Sequence, residues 1–240
     1  MRISLRLLLV GMVFAVIAQP AAAGPPYVTD DPVPTDLGRW EIYSFFDGSA
    51  DRGAVSGAAG FDLNYGPVAG VQLTATLPLD VTTDPRLQVG IGDVEAGIKY
   101  RFIEDERSGV SIAIFPRLIF PTGGAGKTSM LLPVWAGIER GKWSLFGGGG
   151  YHVRFGKDDR NSAVAAIALT NQVSKGLSLG AEVAHEGADV RGGHGQTVVG
   201  GGAIIGLSRS CSLLLSGGPI FEDGSNHVAA RLYAALGLNF

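Results

Sequence analysis

Charged and amide side chains recur at alternate positions along apolar segments of this sequence. In residues 92–102, GDVEAGIKYRF, the charged residues occupy one face of an extended chain and the apolar residues the other. Charges that share a face require water or one another. We expect such residues to line a polar interior, where they either form ion pairs between neighbouring strands or select a solute. The candidates are Asp62, Gln72, Asp93, Glu95, Lys99, Arg101, Arg117, Glu182 and Arg231.

The catalytic and nucleotide-binding motifs are incomplete. Ser144 and His152 share a face, but eight residues separate them along one predicted strand, which is beyond hydrogen-bond reach. A membrane-embedded hydrolase therefore ranks third among the functional hypotheses. The segment GGAGKTS, residues 123–129, has the wrong spacing for a phosphate-binding loop, since Pro121 stands where the first glycine belongs. We predict that the protein is not an enzyme.

The histidines and the single cysteine give no metal or redox site. No pair of histidines has the spacing of metal ligands, so we expect no metal and no cofactor; the four are His152, His185, His194 and His227. Cys211 has no second cysteine with which to form a disulfide. A net charge of −3 without a basic cluster excludes nucleic acid as an expected partner.

The first 23 residues form an export signal. Arg2 and Arg6 precede the apolar run of residues 7–18, and the alanines at 21–23 offer a cleavage site. Residues 24–37 are rich in proline and aspartate, so we predict an extended segment that is too short to form a plug domain. Residues 38–240 form the predicted folded domain. The mean hydropathy of the whole chain, +0.24, is high for a soluble protein. No apolar run within residues 38–240 reaches the roughly 20 residues that a spanning helix needs.

The last segment, residues 227–240, shows the strand period most clearly. Every second residue from Val228 to Phe240 is apolar, while the other register carries Asn239, Tyr233 and Arg231. A strand that runs to a terminal Phe favours a membrane barrel, because the last strand must pair with the first to leave no edge in lipid. We also expect Phe240 to act as the signal for the outer-membrane assembly machinery.

The whole domain divides into segments of strand character. Most are ten to fourteen residues long, sufficient to cross a bilayer at a tilt. Short connections alternate with longer loops, including one at 48–55, as in an outer-membrane meander. The twelve predicted strands are 39–47, 56–66, 69–80, 90–103, 109–121, 128–139, 142–154, 162–173, 176–187, 196–208, 211–220 and 227–240.

Seven segments resemble those of a known bacterial family. They are TDDP (29–32), GRWEIY (38–43), NYGPVAGVQL (64–73), GDVEAGIKYRF (92–102), FPRLIFPTG (115–123), LPVWAG (132–137) and GGGGYHV (147–153). The chain resembles the outer-membrane transporter family labelled "MetA-pathway of phenol degradation". That resemblance implies a Gram-negative outer-membrane β-barrel that moves hydrophobic or aromatic compounds.

Together these observations predict an all-β protein, a closed antiparallel up-and-down transmembrane barrel of about twelve strands. The expected function is a channel for passive uptake of small molecules, with outer-membrane lipid around it. The main alternative is a structural or interaction barrel whose interior is blocked by its own side chains. The solute itself is not predicted.

Overall fold

The computed structural model describes residues 26–122 and 127–240 of the chain. The predicted signal peptide, residues 1–23, lies outside the described residues. Among those described, none belongs to a helix long and apolar enough to cross a membrane. The structure contains fourteen strand segments: Trp40–Asp51 (β1), Ala54–Val68 (β2), Val71–Thr82 (β3), Gln88–Ile91 (β4), Val94–Asp105 (β5), Val110–Ile114 (β6), Arg117–Phe120 (β7), Ser129–Arg140 (β8), Trp143–Arg154 (β9), Ser162–Ser174 (β10), Leu177–Glu186 (β11), Gln196–Gly206 (β12), Cys211–Glu222 (β13) and Val228–Asn239 (β14).

The segments close into a twelve-stranded antiparallel barrel. The last strand, β14, pairs with the first, β1, over ten residue pairs from Glu41↔Asn239 to Ala50↔Ala230. Two wall strands are interrupted: β4 and β5 both pair with β3, and β6 and β7 both pair with β5 and β8. Each of these pairs of segments acts as one strand of the wall, so the predicted fold and strand number are confirmed.

One predicted loop is strand instead. β1 and β2 run through residues 48–55 and meet in a turn at Arg52 and Gly53, whose φ angles are 48° and 87°. Positive φ at both central residues is typical of a type I′ turn. The loop prediction was wrong because Gly48 permits a close approach of β1 and β2; a Cβ at Gly48 would lie 2.9 Å from the Gly57 Cα.

The outer face of the wall is apolar. On β14 the outward residues Val228, Leu232 and Leu236 are exposed, as is Phe240 beyond the strand. The alternate residues of β14 point inward, and Arg231 and Ala235 are buried. An apolar face exposed around a whole barrel indicates a surface that meets lipid.

The core lies inside the barrel. Tyr43 of β1 is buried and packs with Leu214 and Ala235 of β13 and β14. Glu41 lies on the same face of β1 as Tyr43, and its carboxylate accepts a hydrogen bond from the Tyr43 hydroxyl at 3.0 Å. The polar and aromatic register of β1 therefore faces inward.

Candidate functional site: the barrel interior

The N-terminal segment, defined as residues 26–37, lies inside the barrel. It contacts strands on different sides of the wall, and its Thr29 and Thr35 are 0% and 3% exposed. A parallel bridge between Leu37 and Gly66 ends it beside the short β2–β3 turn. A segment that touches opposite walls of a closed sheet must cross the interior. The wall residues that hold it by hydrogen bonds are Gln72, Lys99, Glu182 and Ser216.

Glu182 of β11 holds the first part of the segment. Its Oε1 accepts the Val28 amide hydrogen at 3.1 Å, and its Oε2 accepts the Thr29 amide and hydroxyl hydrogens at 3.0 and 2.9 Å. The Glu182 side chain is 0% exposed, and Arg231 Nη1 lies 3.6 Å from its Oε1. Arg231 also binds Asp47 at 2.9 Å. A buried carboxylate is tolerated when hydrogen bonds and a nearby cation satisfy it, as they do here.

Lys99 of β5 holds the two aspartates of the TDDP segment. Its Nζ lies 2.9 Å from Asp30 Oδ1 and donates to the Asp31 carbonyl oxygen at 3.0 Å. The ammonium also stands 5.0 Å from the centre of the Phe115 ring. The Lys99 side chain is 5% exposed. An ammonium removed from water needs such partners, so Lys99 and the segment stabilise each other.

Gln72 of β3 holds the end of the segment. Its Oε1 accepts the Thr35 amide hydrogen at 2.8 Å and the Thr35 hydroxyl hydrogen at 3.1 Å. Its Nε2 donates to Asn64 at 2.7 Å and to Thr74 at 2.9 Å. All of these groups are buried. The amide is thus fully engaged between the wall and the segment.

Tyr27 gives the segment its apolar anchor. Its ring lies 6.4 Å from the Phe146 ring and packs with Ala168. Gly180 and Gly202 make room for it: a Cβ at Gly202 would lie 2.7 Å from Tyr27 Cε1, and one at Gly180 would collide with the Tyr27 hydroxyl. Sequence reasoning missed this contact, although two inward glycines within adjacent strands were its signal.

Three predicted interior residues line the wall. Asp62 accepts hydrogen bonds from Thr76 at 3.0 Å and from Asn64 at 3.1 Å. Glu95 and Arg117 lie 3.5 Å apart and link β5 to β7. The Glu95–Arg117 pair and the Thr76–Asp62 hydrogen bond join neighbouring strands, whereas the Asn64–Asp62 hydrogen bond lies within β2.

Two predicted interior residues lie apart from the segment. Arg101 pairs with Glu104 at 2.8 Å near the short β5–β6 turn. Asp93 is exposed in the break between β4 and β5. The structure therefore brings Gln72, Lys99 and Glu182 together around the segment and leaves these two outside that arrangement.

The structure gives His152 a different serine from the one considered in the sequence. His152 Nε2 lies 3.0 Å from Ser129 Oγ, whereas Ser144 is remote along β9. His152 Nδ1 lies 2.7 Å from Arg154 Nη2 and 3.2 Å from Glu186 Oε1. A guanidinium can only donate and a carboxylate can only accept, so these two contacts call for opposite tautomers of His152. Glu186 Oε1 also accepts hydrogen bonds from Arg154 at 2.7 Å and from Ser162 at 3.1 Å, so it is not reserved for orienting His152 as a base toward Ser129.

No metal centre is formed by the described part of the chain, where no three His, Cys, Asp or Glu side chains converge. His227 instead lies 3.0 Å from Asp51, and His185 lies 2.9 Å from the Thr197 hydroxyl. These contacts link long-loop ends of neighbouring strands.

A small cavity and a wider concavity adjoin the interior of the described barrel. A cavity of about 40 Å³ lies between the N-terminal segment and strands β6, β8 and β9, with Asp31, Gly137 and Phe146 in its lining. It has room for water but not for an aromatic solute. A wider concavity of about 470 Å³ lies at the long-loop ends of β2–β4 and is lined in part by Ser56, Asp80 and Gln88.

Comparison with solved structures identifies the fold. The sequence matches no protein-family model and no curated protein. The COG4313 outer membrane channel from Pseudomonas putida F1 superposes with a TM-score of 0.68 at 15% identity, over 87% of this chain and 97% of that one. The KdgM porin superposes with a TM-score of 0.62 at 8% identity, over 83% of this chain and 99% of that one. The CymD monoaromatic hydrocarbon channel superposes with a TM-score of 0.50 at 9% identity, over 85% of this chain and 88% of that one.

At these identities the likeness shows a shared fold. The chain has the fold of outer-membrane channels and porins, whereas the phenol-degradation family stays a prediction.

Proposed function

We propose that this protein is an outer-membrane channel for passive uptake of small molecules in a Gram-negative bacterium, exported by its signal peptide. The observation that carries the proposal is a closed barrel with an apolar outer face and a polar interior. A sheet whose edges are all paired satisfies its backbone without water, which is the condition for crossing a bilayer.

The aromatic residues fit a bilayer of ordinary thickness. Trp143 and Tyr151 stand eight residues apart on β9 and are 53% and 56% exposed. At the usual tilt of a barrel strand they are separated by roughly 20 Å along the membrane normal. Trp40 and Tyr65 stack at 4.7 Å near the end of the barrel that carries the short turns. Such residues anchor a barrel at the two membrane interfaces.

We propose hydrophobic or aromatic compounds as the solute class. The family resemblance implies this class, and one structural neighbour is itself named a monoaromatic hydrocarbon channel. Because the N-terminal segment fills the middle of the barrel, passage of a solute requires that segment to shift.

The position of the N-terminal segment inside the barrel favours one alternative function, a structural or interaction barrel that conducts nothing. In that case the N-terminal segment is a permanent part of the core, and the contacts of Glu182 and Lys99 with it serve stability alone. The two functions differ in whether the segment ever leaves its place.

Single-channel conductance of the refolded mature chain in a planar bilayer tests the proposal, with and without aromatic solutes. We expect conductance events that aromatic solutes reduce. A silent barrel that also fails to bind aromatic solutes would rule out the transport function and leave the structural one.

A further inference from the structure

Two rows of carboxylates cross the inner face of one side of the barrel. Asp47 of β1 and Asp80 of β3 are joined in one row through Ala58, with which both pair. Asp62 of β2 and Glu95 of β5 are joined in a second row through Thr76. Residues that pair directly in a ladder share a face of the sheet.

The face shared by these rows is the interior. Asp80 lies eight residues from Gln72 on β3, and the pairing of β3 with β2 is continuous between Leu73 and Thr82. With a period of two, Asp80 therefore points to the same side as Gln72, which holds the N-terminal segment. The first row lies toward the long loops and the second lies deeper.

Cations neutralise part of each row. Arg231 binds Asp47 at 2.9 Å but also lies 3.6 Å from Glu182, and Arg117 lies 3.5 Å from Glu95. Among the described residues, neither Asp80 nor Asp62 has a cation within ion-pair distance. Each row thus retains a carboxylate that no described cation pairs with.

Asp80 lies beside open space. It lines the concavity of about 470 Å³ at the mouth, and no Lys or Arg is among the described lining residues, which are Ser56, Gly57, Asp80, Val81, Thr82, Gln88, Val89 and Gly90. The side chain is exposed, so a solute at the mouth can approach it.

Other charges at this end of the barrel are mixed. On the far wall Arg154 binds Glu186 at 2.7 Å, which leaves that pair neutral. The β1–β2 turn carries Asp51 with Arg52, and the β3–β4 connection carries Asp84 with Arg86, so these two neighbours of the concavity add no net charge. Charges more than about 10 Å away are screened at physiological salt. The local field at the mouth is therefore set mainly by the nearby carboxylates.

We infer that the mouth of this barrel is charge-selective: it admits neutral and cationic solutes and disfavours anions. The inference rests on the proposed channel function and narrows its solute class. Among aromatic compounds, it favours neutral molecules and amines over carboxylates.

Modification of a single engineered thiol by reagents of opposite charge measures this preference. Ser56→Cys places the thiol at the mouth, diagonal to Asp80 and roughly 7–8 Å from it, and Cys211→Ser removes the native thiol. The refolded protein is treated with a cationic or an anionic methanethiosulfonate reagent, and the rate of thiol modification is measured for each. Each rate is divided by the rate at which the same reagent modifies a small thiol free in solution. We expect the cationic reagent to react faster.

Asp80→Asn in the same background should lower the cationic-to-anionic rate ratio about fourfold, because one unit charge at this distance in water alters each rate about twofold in opposite directions. Asp158→Asn, in a different loop, is the matched control and should leave the ratio unchanged. An unchanged ratio in the Asp80→Asn variant, or a faster anionic reagent, overturns the inference.

Reversal potentials in a salt gradient separate this inference from the proposed function. Conductance that prefers cations supports both the channel function and the charge selectivity of the mouth. Conductance that prefers anions supports the channel function and overturns the charge selectivity. A barrel that conducts no ions but whose thiol ratio falls in Asp80→Asn refutes the channel while the charge selectivity of the mouth stands.

Discussion

Replacing Glu182 by Gln should release the N-terminal segment. The native carboxylate accepts three hydrogen bonds, one on Oε1 and two on Oε2. Glutamine offers a single oxygen, so an amide NH₂ must face the amide hydrogen of either Val28 or Thr29. The substitution keeps the size of the side chain while removing its charge and at least one acceptor.

The magnitude follows from those contacts. A hydrogen bond to a charged group contributes about 1.5–3 kcal/mol, and a buried donor without a partner adds a further cost. Allowing for the weaker bonds that Gln retains, we expect the seated segment to lose about 2–4 kcal/mol. Since about 1.4 kcal/mol is a factor of ten, the unseated fraction should rise about 30- to 1,000-fold.

Thiol accessibility measures the unseated fraction. Pro34 is buried in the segment and is not an anchor, so Pro34→Cys in a Cys211→Ser background reports exposure of the segment. The labelling rate of the Pro34→Cys thiol should rise about 30- to 1,000-fold when Glu182→Gln is added, in step with the unseated fraction. The conductance of the barrel should rise as well. Glu106→Gln, at an exposed turn, is the control. Unchanged labelling and conductance in a folded Glu182→Gln barrel would show that Glu182 does not hold the segment in place.

Three further outcomes are expected. Tyr27→Ala should raise Pro34→Cys labelling with little change in the thermal stability of the barrel, because the lost contact with Phe146 belongs to the segment; a large fall in stability would contradict this. Deletion of Phe240 should reduce membrane insertion in cells, measured by heat-modifiable mobility on gels, and normal insertion would refute its role as an assembly signal. The intact protein should take up no fluorophosphonate, since Arg154 and Ser162 already hold the Glu186 oxygen that would orient His152 as a base for Ser129; labelling abolished by Ser129→Ala would contradict this.

The strands were predictable because their signal is local. Alternation of apolar and polar residues follows directly from the pleat, so the outward face of β14 could be identified from residues 228–240 alone. The turn at Arg52 and Gly53 was missed because its cause is not local. The close approach of Gly48 and Gly57 depends on how two strands pack, and the sequence shows merely a run of small residues.

The interior was predictable as a set of residues but not as an arrangement. Period and charge marked Gln72, Lys99 and Glu182 as inward, yet nothing near them indicates what they bind. Thr29 and Glu182 are separated by 153 residues and meet because the barrel closes. The sequence alone determined which face of β5 and of β14 is polar, because that property repeats every two residues, whereas the mixed face of β1 with Glu41 and Tyr43 was not assigned. What the polar face meets was decided by the tertiary structure, since ring closure places the N-terminal segment against opposite walls.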